Sequence, residues 1–255
     1  MAAFDNICFR ASPSPAAQAG LRAMVARYDD CSVAEASVIV ALGGDGFMLQ
    51  TLHATQDTDV PVYGMHRGTV GFLMNDYSED RLKSRLAVAE ETVINPLRMR
   101  ATRVDGSLDE ALAINEVSLL RAGPQAAKLR IEVDGRERMA ELVCDGALLA
   151  TPAGSTAYNY SAHGPILPIG SDVLALTAMS AFRPRRWGGA LLPNTAHVAF
   201  DVMDHERRPV SAVADSAESR LVKRVEITIE PGIRHRLLFD PGHGLEERLI
   251  REQFA

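Results

Sequence analysis

The chain has 255 residues, of which 47% are hydrophobic, and its formal net charge is -6. This length and composition predict a stable globular protein of one large or two small domains, and they exclude a disordered chain. Because the basic residues are scattered, the charge pattern gives no support for nucleic acid or an anionic membrane as the main partner.

The cysteines, the histidines and the start of the chain narrow the class further. The three cysteines have no metal-type spacing, and their odd number argues against a disulfide framework. The seven histidines are dispersed, which argues against a transition-metal site built from protein ligands alone. No signal peptide is recognisable, and no apolar run approaches the roughly 20 residues of a membrane helix. We therefore expect a cytoplasmic protein with no membrane partner.

Residues 1–96 alternate predicted strands with predicted helices. Apolar and β-branched runs predict strands over 4–11, 36–42 and 60–65. Apolar residues at helical spacing predict helices over 14–28, from Phe47 onward, and from a cap at Ser78 to about Glu90. Since this order is typical of a doubly wound sheet, we expect an α/β domain over 1–96.

After residue 96 the pattern changes to strands. We predict strands over 97–104, 111–120, 128–133, 138–144, 196–202 and 225–229. Asp105-Gly106 and Asp134-Gly135 are typical of tight hairpin turns. We therefore expect a β-rich domain over 97–231, and a segment over 232–255, with a helical pattern at 242–254, that returns to the first domain.

The first motif is Gly43-Gly44-Asp45-Gly46, between a predicted strand and a predicted helix. In this layout the backbone amides at a helix start can hold phosphate oxygens, and Asp45 is placed to act as a base or a metal partner. An ordinary turn also explains the four residues. The chain has neither the Walker A pattern nor the usual dinucleotide fingerprint.

The second motif is the polar stretch that follows an apolar run at 147–150. Pro152 and Gly154 predict that the strand ends and turns there. Hydroxyl and amide side chains then crowd together: Ser155, Thr156, Tyr158, Asn159, Tyr160 and Ser161. Several donors and acceptors at one strand end could bind a polar ligand such as a nucleoside, although such composition is also common in plain turns.

Two acidic positions interrupt apolar segments of the predicted β-rich domain. Asn115-Glu116 lies inside the predicted strand 111–120, where adjacent side chains point to opposite faces. One of the two is therefore directed toward a buried side unless the strand bulges or ends. An exposed edge and a contact to a ribose diol or an amide both explain the pair, and Asp145-Gly146 allows the same two interpretations.

These motifs, in this order, resemble the ATP-dependent NAD kinases. The resemblance rests on four stretches: Gly43-Gly44-Asp45-Gly46, Arg67-Gly68-x-x-Gly71-Phe72-Leu73, Asn115-Glu116, and Asp145-Gly146-x-x-x-x-Thr151-Pro152-x-Gly154-Ser155-Thr156-Ala157-Tyr158. By motif it covers residues 36–168, and the first stretch alone is shared with phosphofructokinases and lipid kinases.

The resemblance implies a fold, a reaction and partners. The fold is the α+β two-domain fold of the NAD kinase/diacylglycerol kinase type, with an N-terminal Rossmann-like α/β domain and a C-terminal β-sandwich-like domain. The reaction is transfer of the γ-phosphoryl group of ATP to the 2′-hydroxyl of the adenosine ribose of NAD, giving NADP. Mg²⁺ or another divalent cation would be held by the nucleotide phosphates and water, with no protein metal ligand. A homo-oligomer, a dimer or tetramer, is also implied.

Carried over position by position, the resemblance makes Asp45 the proton acceptor for the ribose hydroxyl. Asn115 and Glu116 would hold the adenosine part of NAD, while Asp145 and Ala153 would contact the other end of the dinucleotide or a neighbouring subunit's ligand. The full set implied for nucleotide binding is Gly43, Gly44, Gly46, Phe72, Asn115, Glu116, Asp145, Ala153, Thr156, Ala157, Tyr158, Asn159, Ser161 and Asp215.

Four positions depart from the family's pattern, and two other functions stay open. Phe47 replaces a small hydroxyl residue, His66 an Asn, Ala153 a Thr and His163 a Gly, which leaves the donor open between ATP and polyphosphate. A lipid kinase of the diacylglycerol type shares the glycine turn, but Asn115-Glu116 and the long polar motif suit a nucleoside better than an acyl chain. A protein that senses NAD without phosphorylating it is the non-catalytic alternative.

Overall fold

The computed structural model describes residues 4–68 and 71–242, and these form two compact units. The first unit contains the described residues up to Ile94 together with those from Gly232 onward, and the second unit runs from Asn95 to Pro231. The sequence places its domain boundaries at 96/97 and 231/232. Each unit has its own sheet structure and its own core.

The first unit has a five-stranded sheet with helices. Its elements are β1 (Ile7–Ala11), α1 (Pro15–Tyr28), β2 (Val38–Gly43), α2 (Asp45–Ala54), β3 (Val62–His66), α3 (Leu82–Val88), β4 (Glu90–Ile94) and β17 (His235–Phe239). The strand order is β1-β2-β3-β17-β4. Neighbouring strands are parallel from β1 to β17, and β4 pairs antiparallel with β17.

Alternate strand residues build the core on the face of this sheet that carries α1 and α3. Val38, Val40 and Leu42 of β2 are fully buried there, and Met24 of α1 and Leu86 of α3 pack into the same cluster. Since side chains alternate across a strand, the intervening residues of β2 face the other side of the sheet. The sequence predicts β1, α1, β2 and β3 correctly, with shifts of at most three residues at their ends.

The predicted helix start at Ser78 is wrong. The Ser78 hydroxyl accepts the amide of Asp80 at 3.2 Å, so it caps a turn, and α3 begins only at Leu82 after Arg81 with φ at 57°. The same helix ends at Val88, before the predicted end, because residues from Glu90 onward pair with β17 as β4. The predicted helical segment over 242–254 lies, apart from its first residue, outside the described residues.

The second unit is a sandwich of two six-stranded sheets in which all pairings are antiparallel. Its strands are β5 (Leu97–Arg103), β6 (Leu108–Ala113), β7 (Glu116–Arg121), β8 (Ala127–Val133), β9 (Arg136–Cys144), β10 (Gly146–Ala150), β11 (Val173–Met179), β12 (Gly189–Pro193), β13 (Val198–Val202), β14 (Val210–Ala214), β15 (Ala217–Ser219) and β16 (Val222–Ile229). One sheet has the order β12-β11-β10-β7-β14-β15, and the other β6-β5-β16-β13-β8-β9. A single apolar cluster draws residues from both sheets, among them Leu149, Val117, Phe200 and Val225.

The chain crosses from one sheet to the other at two places that the sequence marks as acidic. The predicted strand over 111–120 is in fact two strands, because β6 and β7 belong to different sheets and are separated by Ile114 and Asn115. In the same way, Asp145 separates β9 of one sheet from β10 of the other. Both interruptions in the apolar pattern therefore mark places where one strand ends and the chain passes to the other sheet.

The remaining predicted strands of this unit are present, and several others were not predicted. The turn at Asp134-Gly135 has positive φ at both residues, as a two-residue hairpin requires. Neither β11, β12, β14 nor β15 was predicted. A four-residue helix, α4 (Tyr158–Ser161), lies in the polar stretch after β10.

The three cysteines are free thiols, and Cys8 and Cys144 are buried. Burial is the main reason that the pKa of Cys144 is raised to about 12. Among the described residues, no helix has the length and apolar character needed to cross a membrane.

Candidate active site

The glycine motif forms the junction between β2 and α2 in the first unit. All six residues of β2 are buried up to Gly43, and α2 begins at Asp45 with Gly44 as an N-cap that lacks a capping side chain. A side chain at Gly43 would collide with Phe47, whereas at Gly44 and Gly46 it would meet no described atom within 4 Å. The start of α2 therefore presents uncapped backbone amides beside open space, which is an arrangement suited to anions.

The carboxylate of Asp45 is held by backbone amides. The amide of Phe72 donates to Oδ2 at 2.7 Å, and the amide of Leu73 donates to Oδ1 at 2.9 Å. Both oxygens thus accept one strong hydrogen bond each from the second glycine-containing motif. Asp45 and Phe72 are 27 residues apart in the chain. The structure therefore brings together two of the motifs on which the resemblance rests.

Buried Asn75 fixes the far end of the loop that carries these amides. Its amide donates to the Gly64 carbonyl at 2.7 Å, and its side-chain nitrogen donates to the carbonyls of Gly64 and Leu238, each at 3.0 Å. At the near end, the amide of Arg67 donates to the Gly43 carbonyl at 2.7 Å. The loop is therefore tied to β3, to β17 and to the end of β2.

In the second unit, the carboxylate of Asp215 accepts hydrogen bonds from the segment that links β6 to β7. Its Oδ2 accepts the amide of Ile114 at 2.7 Å, and its Oδ1 accepts the amide of Asn115 at 3.0 Å. Asp215 has φ at 49°, a conformation that Asp and Asn tolerate better than most residues. Asp215, one of the residues that the resemblance implies for nucleotide binding, therefore lies against Asn115 and Glu116.

The motif after β10 packs against the same crossing. The Thr151 hydroxyl donates to the Ile114 carbonyl at 2.7 Å and accepts the amide of Gly154 at 3.0 Å, while the Thr151 amide donates to the Asn115 carbonyl at 2.9 Å. A side chain at Gly154 would collide with the backbone of Asn115. Close approach of two backbones explains the glycine.

Asn159 organises the polar stretch from within. It is fully buried, and its side-chain nitrogen donates to the carbonyls of Ser155 at 3.2 Å and Pro165 at 2.9 Å, while its oxygen accepts the Thr177 hydroxyl at 2.6 Å. Gly164 leaves room for this side chain, because a Cβ there would collide with it. The hydrogen bonds of Asn159 are thus made inside the fold, so any contribution that it makes to ligand binding is through the shape of the turn.

The other predicted residues of this stretch differ in exposure. Thr156 and Ala157 are half-buried, Tyr158 and Ser161 are exposed, and Ala153 is buried. The backbone amide of Tyr158 hydrogen-bonds Glu116, which joins the stretch to the β6–β7 crossing. Asn115, Glu116, Asp215 and the 151–158 turn therefore form one cluster in the second unit.

Glu116 is the electrostatic exception in that cluster. Burial first, and then the neighbouring carboxylate of Asp215, raise the pKa of Glu116 to about 7, against the effect of the Tyr158 amide. Its Oε2 is buried and has no hydrogen-bond partner among the described residues. An acceptor in this state can bind a hydroxyl or amide donor of a ligand.

Asp145 lies apart from this cluster, at the opposite end of β10 from Thr151. Its side chain is 47% exposed and pairs with Arg121 at 2.6 Å. The Arg121 guanidinium also donates to the Gly123 carbonyl at 2.7 Å. The carboxylate is thereby held at the surface of the sheet crossing between β9 and β10.

The sequence analysis assigned no role in the site to two contributors, Asn75 and Leu73. Asn75 belongs to none of the motifs. One of its side-chain hydrogen bonds is to β17, which is about 160 residues away in the chain. Leu73 acts through its backbone amide, which has no side-chain signature. The glycine at position 71, beside those amides, was the available signal.

Over residues 4–68 and 71–242, the structure contains no group of three or more His, Cys, Asp or Glu side chains that could hold a metal ion.

Comparison with known proteins identifies the class. The model of the ATP-NAD kinase N-terminal domain matches residues 11–89, and the model of the ATP-NAD kinase C-terminal domain matches residues 114–233. The fold and these two matches define an ATP-NAD kinase type of two-domain protein, and the predicted fold class is confirmed.

Full-length relatives agree with the domain models. An NAD kinase of Cereibacter sphaeroides is 70% identical over 98% of this chain and 99% of its own length. An NAD kinase of Hyphomonas neptunium is 58% identical over 98% of each chain. The chain belongs to the NAD kinase family.

Two solved structures share the fold at low sequence identity. Yeast NADH kinase, in complex with NADH, has a TM-score of 0.84 and 20% identity, with 100% of this chain and 88% of the other covered. An NAD kinase from Archaeoglobus fulgidus, in complex with ATP, has a TM-score of 0.73 and 21% identity, with 98% and 97% covered.

Proposed function

We propose that this protein transfers the γ-phosphoryl group of ATP to the 2′-hydroxyl of the adenosine ribose of NAD, giving NADP and ADP. Family membership supports the reaction. The single observation that carries the chemical assignment is the Asp45 carboxylate, held by two backbone amides at the uncapped start of α2.

Asp45 is the proton acceptor in this proposal. A ribose hydroxyl is a poor nucleophile, and in phosphoryl transfer the protein contributes mainly positioning and charge stabilisation. As the new bond forms between the 2′-oxygen and the γ-phosphorus, the bond from that phosphorus to the ADP oxygen breaks. The hydroxyl proton passes to Asp45, and the developing charge of the phosphoryl group lies near the amides of Gly44 and Gly46.

The cluster in the second unit is the proposed site for the adenosine part of NAD. The orphaned oxygen of Glu116, together with Asn115, is suited to a ribose diol or an adenine amine. The exposed ring of Tyr158 offers a surface for the base, with Thr156, Ala157 and Ser161 around it. Asp145 and Ala153 are proposed to contact the rest of the dinucleotide, in the same or a neighbouring subunit.

Further parts of the proposal concern Mg²⁺, the assembly and the compartment. In this proposal Mg²⁺ arrives on the donor phosphates and is held by them and by water. When bound, Mg²⁺ would neutralise charge on the transferred group. We also propose a homo-oligomer that acts in the cytoplasm on small-molecule substrates only.

The test is NADP formation by the purified protein with NAD, Mg²⁺ and either ATP or polyphosphate. Asp45→Asn is expected to lower kcat by about 10²- to 10⁴-fold while NAD still binds, since it removes the proton acceptor. Asp76→Asn is the matched control, because that carboxylate lies in the same unit, is 71% exposed and pairs only with His66 in the described structure. It should leave kcat within about twofold of the wild type.

Three outcomes are informative. NADP from the wild type but not from Asp45→Asn supports the proposal and names the donor. Tight NAD binding without NADP from either donor contradicts a kinase and favours a sensor. Phosphorylation of diacylglycerol in place of NAD would favour the lipid kinase alternative.

A further inference from the structure

The backbone from Gly71 to Leu73 is shaped around one side chain. The amides of Phe72 and Leu73 donate to different oxygens of the Asp45 carboxylate, at 2.7 and 2.9 Å. Two donors on two oxygens fix both the position of the carboxylate and its rotation about the Cβ–Cγ bond, whereas a single donor would fix only its position. We call these three residues the carboxylate clamp.

Gly71 is the part of the clamp that needs to lack a side chain. A Cβ built at position 71 would collide with Oδ1, Cγ and Oδ2 of Asp45, and these are the nearest atoms to it. Gly68, in the same loop, differs sharply, because a Cβ there would meet no described atom within 4 Å. The absence of a side chain at position 71 therefore serves the Asp45 carboxylate in particular.

The clamp can hold a fixed geometry because the loop is tied down on both sides of it. Before the clamp, the Arg67 amide donates to the Gly43 carbonyl at 2.7 Å. After it, Asn75 pairs with β3, since the His66 amide donates to the Asn75 carbonyl at 2.9 Å and the Asn75 amide donates to Gly64 at 2.7 Å. Gly43 also precedes Asp45 by two residues, so the loop and the start of α2 share an anchor.

We propose that the carboxylate clamp sets the orientation in which Asp45 accepts the ribose proton, with Gly71 as a positioning residue. This inference rests on the proposed function. An ionised carboxylate has about four lone-pair sites, so two amide bonds leave acceptor capacity for the substrate hydroxyl. The clamp thus restricts which of those sites faces the hydroxyl without using all of them.

The clamp predicts an effect on rate rather than on folding. In Gly71→Ala, the new methyl meets the end of a movable side chain, so Asp45 can rotate away with little strain elsewhere. A carboxylate displaced by about 1 Å or more costs on the order of 100-fold in kcat. The KM for NAD should change little, because Asn115, Glu116 and the turn after β10 are untouched.

The experiment compares wild type, Gly71→Ala, Gly68→Ala, Asp45→Ala and the double variant Asp45→Ala with Gly71→Ala. Each is assayed for kcat and KM of NADP formation, and for hydrogen exchange at the amides of Phe72 and Leu73. We expect slow exchange in the wild type and in Gly68→Ala, and faster exchange in Gly71→Ala and in Asp45→Ala. We expect the double variant to be no slower in catalysis than Asp45→Ala alone, since both changes act on one group.

The exchange measurement separates failure of this inference from failure of the proposed function. A wild type that makes no NADP contradicts the proposed function, whereas the exchange data still test the clamp. An active wild type with unchanged kcat in Gly71→Ala overturns the inference, as does faster exchange without any loss of rate. An equal loss of kcat in Gly68→Ala would also overturn it, because that variant leaves the carboxylate in place.

Discussion

The two units present their central carboxylates in opposite ways. In the first unit, each oxygen of Asp45 accepts a backbone amide, and the loop that supplies the amides is tied to the sheet. In the second unit, Glu116 is half-buried, its Oε2 is buried without a partner among the described residues, and a second carboxylate, Asp215, lies nearby. The fold orients the carboxylate of Asp45, whereas Glu116 keeps one acceptor oxygen to which a ligand can donate a hydrogen bond.

This difference matches what the two proposed tasks demand. A proton acceptor works by geometry, because the proton moves only when donor and acceptor are aligned. A binding residue contributes affinity when the folded protein leaves one of its polar groups without a hydrogen bond. The ligand then supplies that hydrogen bond and offsets the desolvation penalty of the buried group. The comparison therefore predicts that changes around Asp45 act on kcat, whereas changes around Glu116 act on stability, on NAD binding and on their pH dependence.

The largest effect in the second unit is expected from Asp215→Ala. This change removes the acceptor for the amides of Ile114 and Asn115 and places Ala at a φ of 49°. Leaving two partly buried amides unpaired should lower the free energy of unfolding by about 4 kcal/mol, a loss that urea denaturation can measure. NAD binding should weaken in parallel, because Asn115 and Glu116 lose their support.

Asp215→Asn is the matched control for that change. The amide side chain keeps one oxygen acceptor and tolerates the same backbone conformation, so the loss should be clearly smaller than for Asp215→Ala. It also removes the charge that raises the pKa of Glu116, so that pKa should fall. Equal destabilisation by Asn and Ala would contradict the role assigned to the two hydrogen bonds.

The next effect is a pH-dependent gain of stability in Glu116→Gln. The pKa of Glu116 is about 7 in the folded protein, above its ordinary value of 4.5. Folding is therefore penalised as the pH rises through this interval, because the unfolded chain ionises Glu116 before the folded chain does. The neutral variant avoids the penalty, so its advantage should grow from near zero at pH 4.5 to as much as about 3 kcal/mol at pH 8.

The measurement is the difference in the free energy of unfolding between Glu116→Gln and wild type, taken at several pH values between 4.5 and 8. Glu206→Gln, at an exposed position of the same unit, is the control and should show a flat difference. A difference that does not change with pH would mean that Glu116 is not perturbed by burial.

The sequence identified Asp45 and Asn115-Glu116 as candidate site residues, but it did not predict the hydrogen bonds and strand crossings that surround them. Asp45 and the interruption at Asn115-Glu116 were visible because polar residues and glycines stood out against apolar runs. The interruption proved to be a crossing between sheets, which a pattern read along one strand cannot distinguish from an exposed edge. The amides that orient Asp45 were invisible, since every residue but proline carries one.

The strands that were missed have specific physical reasons. The sequence of β11, V-L-A-L-T-A-M, is rich in good helix formers, and pairing with β10 overrides that preference. The edge strands β4 and β12 are short and largely exposed, so they lack a clear apolar alternation. β17 joins the first sheet from the far end of the chain, and no local signal marks such a long-range pairing. Asn159 and Ser155 looked like their polar neighbours in sequence, although both are fully buried and make their side-chain hydrogen bonds inside the fold.

The smallest effect tests a third way of presenting a carboxylate. Asp145 is held at the surface by the Arg121 guanidinium at 2.6 Å, and both side chains are more than a third exposed. Exposed ion pairs contribute about 0–1 kcal/mol, so Arg121→Ala should change the free energy of unfolding by less than about 1 kcal/mol. If Asp145 contacts the dinucleotide, its release should raise the KM for NAD about two- to fivefold without changing kcat.

Arg220→Ala is the control for a lost surface pair, because Arg220 binds Glu218 at 2.9 Å on an exposed part of the same unit. It should give a similarly small change in stability and no change in KM. High salt should weaken the ion pair between Arg121 and Asp145 in the wild type. The KM for NAD of the wild type should therefore approach that of Arg121→Ala near 1 M salt, where the Debye length is about 3 Å. An unchanged KM in Arg121→Ala at low salt would show that the position of Asp145 does not matter for NAD, and would leave the adenosine cluster around Glu116 as the sole proposed source of affinity in this unit.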